Sequence, residues 1–146
     1  MKQILFFLLL LVGLEAYSQE SDIVKDTAAI NKKLDDEMEK ADNNMSMAKA
    51  LSNAVVLYDQ LLNDYYKKCL SVIKAEDKKQ FIETQRNWIT WKENEFKLIS
   101  LKNSPKYSGF SDLMTGTNLE EQLEIIKARV VNLYNYLAIF SSDFGK

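Results

Sequence analysis

The 146-residue chain has no histidine, one cysteine and a formal net charge of −2. The missing histidine removes the commonest general base and the commonest metal ligand, and a single cysteine excludes a disulfide within the chain. Without a basic excess to displace counterions from a phosphate backbone, nucleic acid is not an expected partner. Only 4 glycines and 1 proline interrupt the chain. Long segments without helix breakers predict an all-α fold in a single domain.

Met1 to Gln19 reads as a secretory signal. Lys2 supplies the positive start, Ile4 to Leu14 is an apolar run broken only by Gly13, and Ala16-Tyr17-Ser18 places small residues at a cleavage site. The run falls short of the roughly 20 residues of a spanning helix, which favours cleavage over a retained anchor. The expected destination is periplasmic or secreted, with no membrane association after cleavage. A cut after Ser18 removes Lys2 and Glu15 together, so the net charge is unchanged. Export permits disulfides, yet Cys69 is alone. It falls on a helical stripe with Leu62, Tyr66 and Ile73 and reads as a small buried apolar residue. An intermolecular disulfide is the alternative.

Residues 20–44 are polar and helix-prone, with a thin stripe of Ala28, Ile30, Leu34 and Met38. They predict a leading helix or a partly ordered arm. Asp42-Asn43-Asn44 breaks the pattern, and Asn43 or Asn44 can cap the next helix. From Met45 to Ile73, Met47, Leu51, Ala54, Tyr58, Leu61, Leu62, Tyr65, Cys69 and Val72 recur at three- and four-residue steps, which predicts a helix burying one face. The methionines read as core filler rather than ligands, and Tyr58, Tyr65 and Tyr66 as core and rim residues.

Ala75-Glu76-Asp77 is short enough to join antiparallel neighbours. Asp77 with Gln80 has the form of a capping box. Lys78 to Ser100 predicts a second helix. At about 100° per residue, Phe81, Ile82, Trp88, Ile89, Phe96 and Ile99 share one broad face, with Trp91 and Leu98 extending it. Gln85, Lys92 and Glu95 fall within that arc, and Arg86 and Glu93 at its edge. Polar groups among buried aromatics require partners. Lys92 can pair with Glu95 three residues on, and Gln85 is expected to bond to the preceding or the last helix. The cluster reads either as a network that fixes helix register or as a recognition or catalytic site. Glu93 and Glu95 point in different directions on a helix and cannot flank one glycosidic bond.

The run Gln85-Arg86-Asn87-Trp88-Ile89, followed by Trp91, Lys92, Glu93 and Glu95, resembles the LprI-like lysozyme inhibitor family of exported bacterial proteins. Upstream, Asp59, Leu62, Asn63 and Tyr66 match that family's Asp-x-x-Leu-Asn-x-x-Tyr pattern, and Met47 stands where the family has a methionine. Downstream, Arg129 and Leu133 fit a closing Arg-x-x-x-Leu. The resemblance spans about Met47 to Leu133. It implies a helical fold and inhibition of lysozyme-type hydrolases. It also implies paired cysteines, at positions that here include Ala50 and Phe96, so apolar packing would replace a crosslink.

Residues 102–117 form the longest irregular stretch and hold the only proline. Lys106, Tyr107, Phe110, Leu113 and Met114 make it the candidate partner-binding loop. The other reading is that these side chains fold back to cap the helix ends. Thr117 and Glu120 have the form of a capping box opening a last helix. Leu119, Leu123, Ile126, Val130, Leu133 and Leu137 form its stripe, and Arg129 lies beside it within reach of Glu93 or Glu95. The boundaries expected are 1–19 signal, 20–44 leading helix or arm, 45–140 helical domain and 141–146 tail. The architecture expected is a small antiparallel bundle: a long helix hairpin, a third packed helix and a possible leading helix. No catalytic residue, metal site or cofactor is expected. The expected function is a binding module inhibiting a lysozyme-type hydrolase, towards which an acidic chain would be steered if that partner is basic. A structural role docking another envelope protein is the alternative. No pattern in the sequence encodes the oligomeric state.

Overall fold

The computed structural model describes residues 23–109 and 114–142. The expected signal and the end of the tail lie outside them. Among the described residues five helices run in order: α1 (residues 23–39), α2 (Asn44–Val72), α3 (Lys78–Lys102), α4 (Pro105–Ser108) and α5 (Met114–Ser141). Among the described residues there is no strand, and no helix is long and apolar enough to cross a membrane. The chain is an all-α bundle.

α2 starts where the sequence offers a cap. The Asn43 side chain accepts the Ser46 backbone N–H at 2.9 Å, and the Ser46 hydroxyl accepts the Asn43 N–H at 3.2 Å. This reciprocal box satisfies two donors that a helix start leaves open. Ala50, Leu51, Ala54, Tyr58, Leu62, Tyr65 and Cys69 are the buried face. They meet Leu123, Ile126, Val130 and Leu133 of α5, also buried. α2 and α5 make the closest helix pair, because Ala50, Ala54 and Cys69 keep the α2 surface low. Each fully buried Leu, Ile or Val here contributes roughly 1.5–3 kcal/mol.

Leu51 lies beside Gly116 and Cys69 beside Leu133, so α2 and α5 run parallel. The Cys69 thiol is wholly buried and donates to the Leu133 carbonyl oxygen at 3.2 Å. Burial pushes that thiol from its ordinary 9.0 up to about 11. Two expected members of the α2 stripe are exposed instead, Met47 and Val72. Met47 lies in the first turn of α2, one turn before the buried face that begins at Ala50 and Leu51. Val72 lines an open groove with Leu137.

α1 is a packed helix. Ile23, Ile30, Leu34 and Met38 lie against the core. Three bonds fix it antiparallel to α2: Tyr65 Oη donates to Asp26 at 3.1 Å, Tyr58 Oη to Asn31 at 2.7 Å, and Asn53 Nδ2 to Glu37 at 2.9 Å. Both tyrosines bury the ring and present the hydroxyl at the rim, as an amphipathic side chain should.

α3 runs antiparallel to α2 and α5. Phe81 stacks on Tyr66 at 5.5 Å and meets Phe140 edge-on at 5.9 Å. Asp77 is the N-cap residue, but its side chain makes no capping bond. Its φ and ψ of −95° and −11° are helical, because the preceding turn already closes through the Asp77 N–H to Lys74 O. The broad face expected for α3 narrows to one stripe. Phe81, Gln85 and Ile99 are buried, with Trp88 and Phe96 partly so. Ile89 and Trp91 turn outwards at 39% and 49% exposure. Helices cover α3 from one side only, so apolar residues off the central stripe meet water.

Candidate partner-binding site

The polar residues of the α3 stripe meet α5 at one buried contact. Gln85 Oε1 accepts two bonds from Arg129, from Nε at 3.1 Å and Nη2 at 2.7 Å. Both residues are buried, at 4% and 6% exposure. The guanidinium lies 5.4 Å from the Trp88 ring and 6.0 Å from that of Tyr136. Burial pushes its pKa down, partly offset by Tyr136. It stays charged, since arginine is not deprotonated in proteins. Among the described residues no carboxylate pairs with it. Glu93 and Glu95, reachable on the sequence reading, lie further along α3 than Gln85, the residue that Arg129 meets.

Lys92 does not pair with Glu95. It crosses to Asp59 of α2 at 3.6 Å and lies over the rings of Trp88 and Phe96. Asp59 also accepts from Asn63 Nδ2, both through its backbone oxygen at 2.8 Å and its carboxylate at 3.2 Å. Leu62 is buried and Tyr66 stacks on Phe81. Thus Asp59 and Tyr66 of α2 meet Lys92 and Phe81 of α3, Leu62 is buried, and Asn63, Arg86 and Glu93 face solvent. Ala50 is buried and Phe96 partly so, both in apolar packing. The amide, guanidinium and ammonium groups are spent on holding α2, α3 and α5 together. Among the described residues no cluster of three metal-ligating side chains occurs.

The described part of the 102–117 stretch is more helical than expected. Lys102 still belongs to α3, residues 105–108 form the single turn α4, and α5 already begins at Met114. Thr117 therefore lies inside a helix rather than capping it. Pro105 opens α4, where its missing N–H costs nothing. Gly109 closes α4 at φ 74°, a left-handed conformation that favours glycine. Two bonds staple the connection to α5: Lys102 Nζ to Glu121 at 2.6 Å, and Asn103 Nδ2 to Asn118 at 2.7 Å. The Lys102 bond holds the Glu121 carboxyl below its ordinary range. Tyr107 projects from this frame at 61% exposure, with the Lys106 ammonium 4.9 Å from its ring centroid. Phe110 and Leu113 lie outside the described residues, and Met114 enters only as the first backbone position of α5.

Sequence reasoning did not single out Tyr136. It stacks on Phe140 at 6.0 Å and lies beside Arg129. Its position seven residues after Arg129, two turns along the same face, was the available signal.

These features define a class: a small helical bundle locked by a buried amide–guanidinium contact, with an aromatic turn projecting from one end. A family model described as lysozyme inhibitor LprI matches residues 25–133. The chain belongs to the LprI lysozyme inhibitor family. Comparisons with curated proteins and with solved structures return no match. The matched stretch takes in most of α1 and stops before Tyr136 and Phe140.

Proposed function

We propose that this chain is an exported, non-catalytic binding module that inhibits a lysozyme-type cell-wall hydrolase through the connection between α3 and α5. The observation that carries the choice of surface is Tyr107. It is a largely exposed aromatic on a turn whose start is stapled to α5 by Lys102–Glu121 and Asn103–Asn118. A tyrosine side chain has only two rotatable χ angles, so fixing it on binding costs little entropy for the contact area it supplies. The Gln85, Trp88, Lys92 and Arg129 cluster lies between the helices of the bundle, joins α2, α3 and α5 to one another, and is not the surface that touches the partner.

The test is lysis of a cell-wall suspension by lysozymes of several types, followed by turbidity. Purified protein should slow lysis by at least one of them in proportion to its concentration. Unchanged lysis with every enzyme, at protein in large excess, would refute the proposal. Stoichiometric capture of a different envelope protein under those conditions would then favour the docking alternative.

A further inference from the structure

The outer side of α3 carries an apolar stripe that the bundle leaves exposed. At about 100° per residue, Trp91, Asn94, Leu98 and Leu101 share a side centred more than a third of a turn from Phe81, Gln85 and Ile99, the buried residues of the helix. Trp91, Leu98 and Leu101 are exposed at 49%, 53% and 48%, and Asn94 is exposed between them. Apolar residues scattered singly over a surface are ordinary, whereas a contiguous line of them marks an interaction site. The steps of three, four and three residues are those of the a and d positions along which two helices pack side by side.

Charge decides what covers the stripe. One edge of it carries Glu95 and Lys102, the other Thr90 and Lys97. A second copy laid antiparallel brings like edges together in reversed order. Glu95 of each copy then meets Lys102 of the other, twice, about a twofold axis. In that register Leu98 faces Leu101 across the axis, and the two Lys97 side chains are offset by more than one helical turn. A parallel copy brings opposite edges together instead and sets Lys97 against Lys102, a like-charge contact that opposes it. Both partners in the antiparallel contact are available. Lys92 crosses to Asp59, which leaves Glu95 without an ion pair among the described residues. The Lys102 ammonium holds Glu121 at 2.6 Å, but its side chain is 54% exposed, and an ammonium has donors for a second carboxylate. One helix face is smaller than the roughly 800 Å² per partner of a stable complex, so the pairing is reversible.

We infer that this face of α3 pairs with the same face of a second copy of the chain, antiparallel, as a weak twofold dimer. Sedimentation equilibrium of the purified chain, from micromolar to millimolar concentration, tests it. A monomer–dimer equilibrium is expected with no larger species, because a twofold contact closes on itself. Leu98→Asp, made at an exposed side chain, should weaken association by at least about tenfold at a native melting temperature. Glu95→Lys and Lys102→Glu should each weaken it alone. An equimolar mixture of those two variants should restore it, since the mixed pair regains both contacts. Monomer at every concentration, open-ended growth, undiminished association of folded Leu98→Asp, or a mixture no stronger than its separate components would each overturn the inference. The outcome is independent of the lysis assay: inhibition by a strict monomer removes only the dimer, and dimerisation without inhibition removes only the inhibitor reading.

Discussion

Replacing Gln85 with leucine tests what the buried polar contact does. The substitution keeps side-chain volume near constant and removes the only acceptor in the contact, Oε1, which holds Arg129 at 3.1 and 2.7 Å. Each hydrogen bond to a charged group is worth about 1.5–3 kcal/mol, and the stranded guanidinium adds a desolvation cost. The two bonds share one oxygen and Trp88 and Tyr136 still flank the cation, so the expected loss is about 2–4 kcal/mol, near the lower part of the range for breaking a buried charged pair. Arg129→Met removes the charge, and the double variant Gln85→Leu, Arg129→Met should recover part of the loss. The expected coupling between the two positions is about 1–3 kcal/mol. Urea unfolding followed by tryptophan fluorescence reads both numbers, since Trp88 lies against the guanidinium. A loss below about 0.5 kcal/mol, the usual effect of a surface substitution, or strict additivity of the two changes would refute the reasoning.

Cys69 sets an alkaline limit. Its thiol is raised from 9.0 to about 11 in the folded chain, so the unfolded state releases its proton first. Stability from this group is full below pH 9.0 and falls as pH rises towards 11, by up to about 3 kcal/mol at roughly 1.4 kcal/mol per unit. Unfolding free energies measured across that window should fall more steeply for the native chain than for Cys69→Ala; parallel slopes would count against it. Tyr58→Phe removes the 2.7 Å bond to Asn31 and should cost about 1 kcal/mol, with faster hydrogen exchange across residues 23–39 as its local sign. Gly109→Ala forces a side chain onto a φ of 74° with open space around it. The strain of about 1–2 kcal/mol should be relieved by reshaping the α4 turn, lowering inhibition while the melting temperature stays native; unaltered inhibition would show that the turn's shape is irrelevant.

The stripes of α2 and α5 were legible because both helices are covered on a wide face, so periodicity and burial coincide from Leu51 to Cys69 and from Leu123 to Leu133. α3 was not, because a wheel shows which residues share a side but not how much of it neighbours cover. Ile89 and Trp91 belong to the apolar arc and still face water. Arg129 was placed on the right helix side with the wrong partner for a similar reason. Angle along a helix is written in the sequence, whereas the axial register between α3 and α5 is set by the connection between them. That connection was misread at its far end: Thr117 has the chemistry of a cap, yet α5 already runs from Met114. The leading helix is thin in apolar residues, and its hold on the core depends on hydrogen bonds from Tyr58, Tyr65 and Asn53 that no periodicity reveals.

The central claim is a division of labour: the buried contact holds the bundle, and the α4 turn meets the partner. The most direct measurement is inhibition of lysozyme-driven lysis by the double variant Lys106→Ala, Tyr107→Ala, with its melting temperature recorded in the same buffer. The account predicts a native melting temperature and inhibition weakened by at least about tenfold, equivalent to roughly 1.4 kcal/mol of binding. Full inhibition by this folded variant would contradict it and move the contact away from the turn.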